Sequence, residues 1–483
     1  MTASSTMLRP AYHRELFLDR MVETDHFESF LDRVAEGKAG LKRVLVFRGE
    51  RGIGKSWLLQ HLHTLAQDRA SVASFLVQFK PEQDEPQPRI DASTSDDACI
   101  VYCALNTFES SSAEPVLAYA EQFEQLLARL FGYLRQKGLI DSELPSGSVD
   151  ELSLGLVLML KSGLDTEGSI LVLLVDSVFE ADWKFVKWLE DYLLAPLLAL
   201  DRVAIVLSGR GRPYPWIHSL LRHPAMPDAL SRWDDSDGNS TESAALRDEH
   251  LGWLVQLIRT QVTENPFWRT HAGASGNALG LTQEQERRLE EIWRIGQGHQ
   301  LLTVRLASSE QTDKWTTLKI LNDYIEEELL QFLPTVRRPE LRRYLEAICV
   351  LRHFGEAEAE RMVRVYFEII QQPTTRMSAK EILAYLMRTY LVRWDHNTQY
   401  FVDDTIRIAI SGWLRLAKRK TWRKLHTEAK LMYEEWAHDY PSFAKTYQAS
   451  AQVHENALNG DDGAEGEETQ PSEQTSDIAN ASA

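Results

Sequence analysis

Continuous apolar runs alternate with longer amphipathic segments over the first 216 residues of the chain. Four of the runs have strand length, and uninterrupted runs of this kind are typical of parallel strands that are covered on both faces. They predict strands at residues 44–47, 100–105, 170–175 and 203–207. The segments between them predict helices at residues 55–67, 113–137, 151–164 and 181–200. This alternation predicts an α/β domain built on a parallel sheet.

The pattern becomes mostly helical between residues 251 and 440. Ser378 and Glu381 form a capping box before an apolar run, so a helix is predicted to start there. In this part we predict helices at residues 340–352, 356–370 and 379–389, then a β-hairpin with strands at 391–394 and 400–402. Three helices followed by a hairpin have the outline of a winged helix.

The formal net charge of −18 is concentrated in three polar segments without periodicity. These are residues 81–97, 227–249 and 455–483, and their composition predicts loops or disorder. Together they carry the whole net charge, so the remaining residues are neutral overall. A strongly acidic protein is a poor generic binder of nucleic acid. Because the rest of the chain is neutral, however, the net charge alone does not exclude nucleic-acid binding by the folded part.

Other features exclude several classes of protein. No apolar stretch reaches the length of a membrane-spanning helix, and residues 1–14 lack the hydrophobic core of a signal peptide. The three cysteines include no C-x-x-C pair and cannot build a disulfide framework. We therefore predict a cytoplasmic protein without a membrane partner.

Residues 49–56 match the phosphate-binding motif G-x-x-x-x-G-K-[ST], between a predicted strand and a predicted helix. The glycines let the loop wrap a phosphate with its N–H groups pointing inward, and the following helix adds its N-terminal dipole. Lys55 would contact the β- and γ-phosphates of ATP, and Ser56 would ligate Mg²⁺. The predicted nucleotide-binding residues are Gly49, Glu50, Arg51, Gly52, Ile53, Gly54, Lys55, Ser56 and Trp57.

A second Mg²⁺ anchor is expected at the end of a neighbouring strand. Asp176 directly follows the apolar run 170–175, so we predict that it holds Mg²⁺ together with Ser56. The next residue is Ser177, where many ATPases of this class have an acid that orients the attacking water. Glu180 or Asp182 would have to replace that acid, or else they simply start the next helix. ATP binding is thus predicted more firmly than hydrolysis.

The run 203–207 ends in Ser208-Gly209-Arg210. An arginine at the tip of a central strand can lie near the γ-phosphate and stabilise its charge; the alternative is an exposed loop arginine. The predicted catalytic residues are Lys55, Asp176 and Arg210.

In this order the motifs resemble those of the STAND NTPases, signalling relatives of the AAA+ and Orc/Cdc6-type ATPases. The resemblance covers about residues 17–437. Beside the phosphate-binding loop it is carried by residues 17–23 (Phe-x-x-Arg-Glu-type segment near the adenine), 208–210 (sensor strand), 295–302 (Gly-His-Pro-Leu segment of the helical lid), 402–407 (Met-His-Asp motif) and 425–436 (following helix). Gln300 stands where the family has a proline that packs on adenine. Asp403 stands where it has a histidine that senses the ADP phosphate.

The resemblance implies a P-loop NTPase domain with a parallel sheet, followed by a helical lid and a winged-helix domain. The predicted division is a tail (1–16), the NTPase domain (17–226), an acidic loop (227–250), the lid (251–332), the winged helix with its following helix (333–440), and a short helical end with an acidic disordered tail (441–483). It implies an ATP- and ADP-dependent signalling switch. The effector and repeat-sensor domains usual in the family are missing from this sequence. We therefore expect either a protein partner or effector that supplies these functions, or a protein that is itself a regulator or ATPase subunit. A nucleotide-dependent homo-oligomer is a further expectation.

Two alternatives stay open. Six basic residues lie within ten positions, at Arg415, Lys418, Arg419, Lys420, Arg423 and Lys424. A basic helix after a winged helix could hold DNA phosphates, which would make the protein a DNA-associated regulator. It could equally be a solvated face, or pair with the acidic tail. The second alternative is a nucleotide-binding scaffold without turnover, because Ser177 and Gln300 depart from the family pattern.

Overall fold

The fold is taken from a computed structural model of the 483-residue chain. It describes residues 20–38, 40, 42–49, 53–81, 90–91, 97–103, 115–142, 147–181, 183–210, 215–224, 226–229, 252, 254–259, 262, 265–269, 280–296, 299–309, 313–330, 333, 337–372, 378–388, 391–394 and 399–462. Four of the predicted residues, Glu50, Arg51, Gly52 and Asp182, lie outside these ranges, as do residues 17–19 and 463–483.

Seven strands form one sheet in the first half of the chain. They are β1 (Val44–Arg48), β2 (Val72–Pro81), β3 (Ile90–Asp91), β4 (Ala98–Cys103), β5 (Ile170–Asp176), β6 (Val203–Gly209) and β7 (Met226–Ala229). Their order is β3-β4-β2-β5-β6-β1-β7, and every neighbouring pair is parallel except β3 and β4. Every residue of β5 and β6 is buried, as expected for central strands with helices on both faces.

The four predicted strands are confirmed, with bounds shifted by up to two residues. The structure adds β2, whose apolar run is broken by Ser74 and Gln78. Buried Ser74 is satisfied by neighbours, because its N–H donates to the Tyr133 hydroxyl (2.9 Å) and its Oγ lies 2.7 Å from His63 Nδ1. The prediction that residues 227–249 form only a loop is wrong at its start, where residues 227–229 belong to edge strand β7.

Helices cover both faces of this sheet. They are α1 (Met21–Ala35), α2 (Lys55–Gln67), α3 (Pro115–Gln136), α4 (Val149–Glu167), α5 (Trp183–Leu189), α6 (Ala195–Leu198) and α7 (Ser219–Arg222). One apolar core lies between the sheet and α1 and α2, and a second lies between the sheet and α3 to α6. The predicted helix at 181–200 is interrupted by a wide π-turn at Glu190–Leu194, directly before Pro196.

A close approach between α4 and the end of α3 makes Gly163 essential. A Cβ at Gly163 would lie 1.9 Å from the Leu139 carbonyl oxygen. We expect Gly163→Ala to lower the free energy of unfolding by about 3 kcal/mol, because α4 must move away from backbone. Gly132 in α3 is the matched control, since a Cβ there meets no atom within 4 Å. Gly132→Ala is expected to be neutral or to stabilise by about 0.5–1 kcal/mol; equal urea midpoints for the two variants would contradict the packing argument.

The second half of the described chain is built mainly of helices. They are α8 (Pro266–Arg269), α9 (Gln283–Gly296), α10 (Gln300–Ser308), α11 (Lys314–Asp323), α12 (Arg338–Ile348), α13 (Glu356–Ile369), α14 (Ala379–Arg388), α15 (Asp404–Ala417), α16 (Arg419–Asp439) and α17 (Ala444–Asp462). The hairpin of β8 (Val392–Trp394) and β9 (Tyr400–Val402) follows α14, and Phe354 makes an antiparallel bridge to Tyr400. The predicted capping box is present, with Ser378 N–H donating to Glu381 Oε2 (2.8 Å). None of the helices described is both long and apolar enough to cross a bilayer.

Helix α17 corrects one prediction about the acidic C-terminal segment. The composition of residues 455–483 predicts disorder, but residues 455–462 continue the helix that begins at Ala444. This helix is held by its packing on α16, where Lys430 Nζ lies 2.8 Å from Glu455 Oε1 and the rings of Tyr433 and Tyr447 are 6.2 Å apart. Tertiary contact thus stabilises a helix that composition alone disfavours.

Candidate nucleotide-binding site

Those predicted site residues that the structure describes lie at or next to the carboxyl ends of β1, β5 and β6. In the sheet β6 lies between β1 and β5, so the strand before the phosphate-binding loop and the strand that ends in Asp176 flank one central strand. The register pairs Arg48 with Gly209 and Val175 with Leu207, which brings the three strand ends level. Parallel strands place the loops that follow them at a single edge, where ligands of α/β sheets bind. The chain has a P-loop NTPase fold.

Lys55 is the first residue of α2, and its side chain is buried. Gly54 has a φ of 94°, a left-handed conformation that glycine adopts without strain. The Lys55 ammonium donates to the Gly49 carbonyl oxygen (3.0 Å), so the side chain points back toward the end of β1, where the loop begins. Burial lowers the pKa of Lys55 to about 8, although the nearby Glu180 carboxylate favours the charged form. A buried cation at a helix N-terminus is well suited to an anionic ligand.

Asp176 lies beside the loop and is almost fully buried. Its Oδ1 accepts a hydrogen bond from the Ser208 hydroxyl at the end of β6. The Ser56 hydroxyl also hydrogen-bonds to this carboxylate. Burial raises the pKa of Asp176, and the two hydroxyls oppose that rise because they stabilise the charged form. The two residues predicted to hold Mg²⁺ are therefore in contact.

The Ser56 hydroxyl and the Asp176 carboxylate are oxygen ligands of the kind that Mg²⁺ prefers. Mg²⁺ usually takes its remaining ligands from water and from the phosphate oxygens of a substrate. Among the described residues there is no group of three or more His, Cys, Asp and Glu side chains that could hold a metal ion. The described side chains therefore do not by themselves supply a full set of metal ligands. Ser56 and Asp176 suit an ion that arrives with a nucleotide.

Glu180 and Arg210 form a buried ion pair within electrostatic range of Lys55. Arg210 Nε donates to Glu180 Oε1 (2.9 Å), and the two side chains are only 12% and 8% exposed. Glu180 Oε2 is buried, and no group of the described residues hydrogen-bonds to it. Among the charges that favour protonated Lys55, that of Glu180 has the largest effect. The Glu180 carboxylate is therefore paired with Arg210 and lies within electrostatic range of Lys55.

Ser177 takes no part as an acid or base, but its backbone shapes the site. Its φ of 60° is left-handed, and it turns the chain from β5 into the short helical turn Val178–Glu180. The Ser177 N–H lies 3.4 Å from Ser208 Oγ. This turn carries Glu180 to the position beside Lys55 and Arg210.

Two supporting residues have functions that the sequence did not reveal. Arg20 is buried with a left-handed φ of 71°, and its Nη2 donates to the Ile53 carbonyl oxygen of the loop (3.2 Å). Gly209 leaves room for the Phe179 ring, because a Cβ at position 209 would lie 2.6 Å from Phe179 Cδ2. The only sequence signals were motif positions, an arginine in the segment at 17–23 and a glycine at a strand end.

Asp403, from the second half of the chain, also acts on the site. It caps α15 by accepting from Thr405 N–H (3.2 Å), and its Oδ2 lies 2.7 Å from Arg393 Nη2. Its charge raises the pKa of Lys55, so the carboxylate lies within electrostatic range of the ammonium. Among the other predicted residues, Ile53 is buried, Trp57 is partly buried and Ser56 is exposed at the loop.

No protein-family model matches the chain, and no curated protein matches it. Among solved structures, the chain is similar to a Walker-type ATPase of Pyrococcus abyssi, with 15% identity over 83% of this chain and 98% of that one, and a TM-score of 0.47. It is also similar to the ORC2 protein of Aeropyrum pernix (12% identity, 86% and 97% covered, TM-score 0.40) and to Cdc6p of Pyrobaculum aerophilum (14%, 86% and 100%, 0.33). The fold class rests on the strand order and loop of this chain.

Proposed function

We propose that this protein is an ATP-binding switch of the STAND/AAA+ type, with slow hydrolysis of ATP. The observation that carries the proposal is the convergence of Lys55, Ser56 and Asp176 at one sheet edge, with the buried Lys55 ammonium bonded to the Gly49 carbonyl. Mg²⁺ bound there would neutralise phosphate charge. Lys55 would bind the β- and γ-phosphates, while Ser56 and Asp176 would hold the ion.

Glu180 is the best candidate in this site for orienting an attacking water. Ser177 has no proton-accepting group of suitable basicity, whereas Glu180 places a carboxylate beside Lys55. Arg210 holds that carboxylate through Oε1 and leaves Oε2 available. Arg210 would also stabilise charge on the γ-phosphate once a nucleotide is bound.

The switch would operate through the second half of the chain. We propose that α12–α14 with the β8–β9 hairpin form a winged helix, and that α9–α11 belong to a helical lid. Asp403 begins the helix that follows the hairpin, and its charge reaches Lys55. We propose that phosphate charge bound at the loop also acts on this carboxylate, and that the helix moves with a change of partner contacts when the nucleotide changes.

The test of this proposal is calorimetric titration of the full chain with ATP and ADP, with and without Mg²⁺. We expect one nucleotide per chain, tighter binding of ATP when Mg²⁺ is present, and loss of that Mg²⁺ effect in Asp176→Asn. Absence of heat from both nucleotides at protein concentrations of about 50 μM would contradict the proposal. A phosphate-release assay then separates a slow ATPase from a scaffold without turnover.

A further inference from the structure

A cluster of positive charge surrounds the start of α16. We call it the basic patch, and it consists of Arg415, Lys418, Arg419, Lys420, Arg423 and Lys424. No acidic residue occurs between positions 405 and 427, and none lies in the first turn of α16. Basic side chains at a helix N-terminus are opposed by the helix dipole. The patch therefore suits a polyanionic partner, which would offset this repulsion.

The exposed members of the patch are Lys418, Lys420 and Lys424. Of these, Lys420 and Lys424 lie one helical turn apart. Within the part of the chain that the structure describes, neither of them has a salt-bridge partner. Lys418 is engaged, since its Nζ lies 3.3 Å from Glu346 Oε2 and also covers the Trp413 ring. Lys420 and Lys424 thus form the surface on which a partner would be recognised.

Helix α17 runs antiparallel to α16 and returns toward this patch. The contacts give the register, because Tyr447 packs on Tyr433, and further along α17 His454 Nδ1 lies 3.0 Å from His426 Nδ1. Continuing the same register places position 461 of α17 level with position 419 of α16. The described chain therefore ends, at residue 462, beside the first turn of α16.

The sequence beyond this point is strongly acidic. From Asp461 to Asp477 it contains seven acidic residues and no basic one, and residues 465, 467 and 468 are all glutamate. Six residues after α17 can span up to about 20 Å, whereas a helix with its side chains is about 10–12 Å across. Glu465, Glu467 and Glu468 can therefore reach Lys420 and Lys424 from the end of α17.

We propose that the acidic segment 461–477 docks on the basic patch of its own chain and screens it from other polyanions. The attachment point is beside the patch, so docking requires closure of only a short loop, which costs little entropy. The contact is made between exposed charges and weakens as salt rises. A nucleic acid would then bind the patch only where it displaces this segment. The proposal concerns a surface distinct from the nucleotide site.

Zero-length carbodiimide cross-linking of the full chain, followed by peptide mass spectrometry, tests the contact. The Lys430–Glu455 pair, at 2.8 Å, is an internal positive control. We expect links from Lys420 and Lys424 to Glu465, Glu467 or Glu468 within the monomer band, reduced at least fivefold in 0.5 M NaCl. Absence of these links while Lys430–Glu455 is linked would overturn the proposal. Links found only in a dimer band would also overturn it, because the occupant would then be a second copy.

A binding assay with a labelled 20-base-pair DNA duplex tests the screening. The variant with Gln or Asn at all five acidic positions from 465 to 477 should bind about tenfold more tightly than the wild type at 0.1 M salt. Adding Lys420→Glu and Lys424→Glu should remove that gain, whereas Lys161→Glu with Lys319→Glu, two exposed lysines elsewhere, should not. Equal binding, or no binding, by wild type and neutralised variant would overturn the proposal. ATP titration of the same variants should be unchanged, which separates this result from the proposed nucleotide function.

Discussion

Lys55→Ala is expected to raise the dissociation constant for Mg²⁺-ATP at least about 100-fold, which corresponds to about 3 kcal/mol. The ammonium belongs to a buried side chain and donates to the Gly49 carbonyl. Charge-assisted hydrogen bonds from such a group to phosphate are among the strongest that side chains make. Alanine would remove them and leave the nucleotide charge opposed by Asp176 and Glu180. Calorimetry or the fluorescence of a labelled ATP measures the loss.

Lys161→Ala is the matched control for this prediction, since Lys161 is an exposed lysine of α4 in the same half of the chain. It should bind ATP as the wild type does. A second readout uses the lowered pKa of Lys55, about 8. At pH 9 much of the free lysine is neutral, and bound phosphates favour its charged form, so ATP binding should take up a proton. Titrations in buffers of different ionisation enthalpy reveal this uptake; wild-type affinity in Lys55→Ala would refute the assigned role.

Glu180→Gln is expected to lower the rate of steady-state phosphate release about 100-fold or more, with a change in ATP affinity of less than about fivefold. Loss of a positioned general base typically reduces the rate by a factor of 10²–10⁴. Glutamine keeps the size of the side chain and can still accept from Arg210 Nε, but it cannot take a proton from water. Malachite-green detection of phosphate, with excess Mg²⁺-ATP, gives the rate.

Glu36→Gln serves as the control, because Glu36 is an exposed glutamate that pairs with Lys38 after α1. Its turnover should equal that of the wild type. A purely structural role for the Glu180–Arg210 pair would instead lower the melting temperature and weaken ATP binding in Glu180→Gln. Turnover equal to wild type in that variant would show that another group orients the water.

The phosphate-binding half of the site could be predicted from local sequence. The spacing of Gly49, Gly54, Lys55 and Ser56 is a local property of one loop and one helix start, and Asp176 directly follows an apolar strand. Strand order could not be predicted in the same way, since the position of β6 between β1 and β5 depends on packing over long sequence separations. Strand β2 was missed because Ser74 and Gln78 break its apolar run, and the partners that satisfy Ser74 lie on α2 and α3.

The contacts between charged side chains also could not be predicted from the local sequence. Glu180 could be named only as one of two acids after Asp176, and it was the left-handed turn at Ser177 that directed it toward Arg210 and Lys55. The end of α17 is a similar case. Residues 455–462 are polar and acidic, yet they form a helix because α16 offers the cation Lys430 and an aromatic surface to pack on.

By itself the sequence determined the phosphate-binding chemistry, the parallel character of the sheet and the location of the net charge, because each depends on residue type, spacing or periodicity within one segment. The tertiary structure decided which polar and charged groups interact: Ser208 donates to Asp176, Arg210 pairs with Glu180, and Asp403 lies within electrostatic range of Lys55. These residues are 30 or more positions apart, and only the packing of strands and helices brings them within hydrogen-bond or electrostatic range.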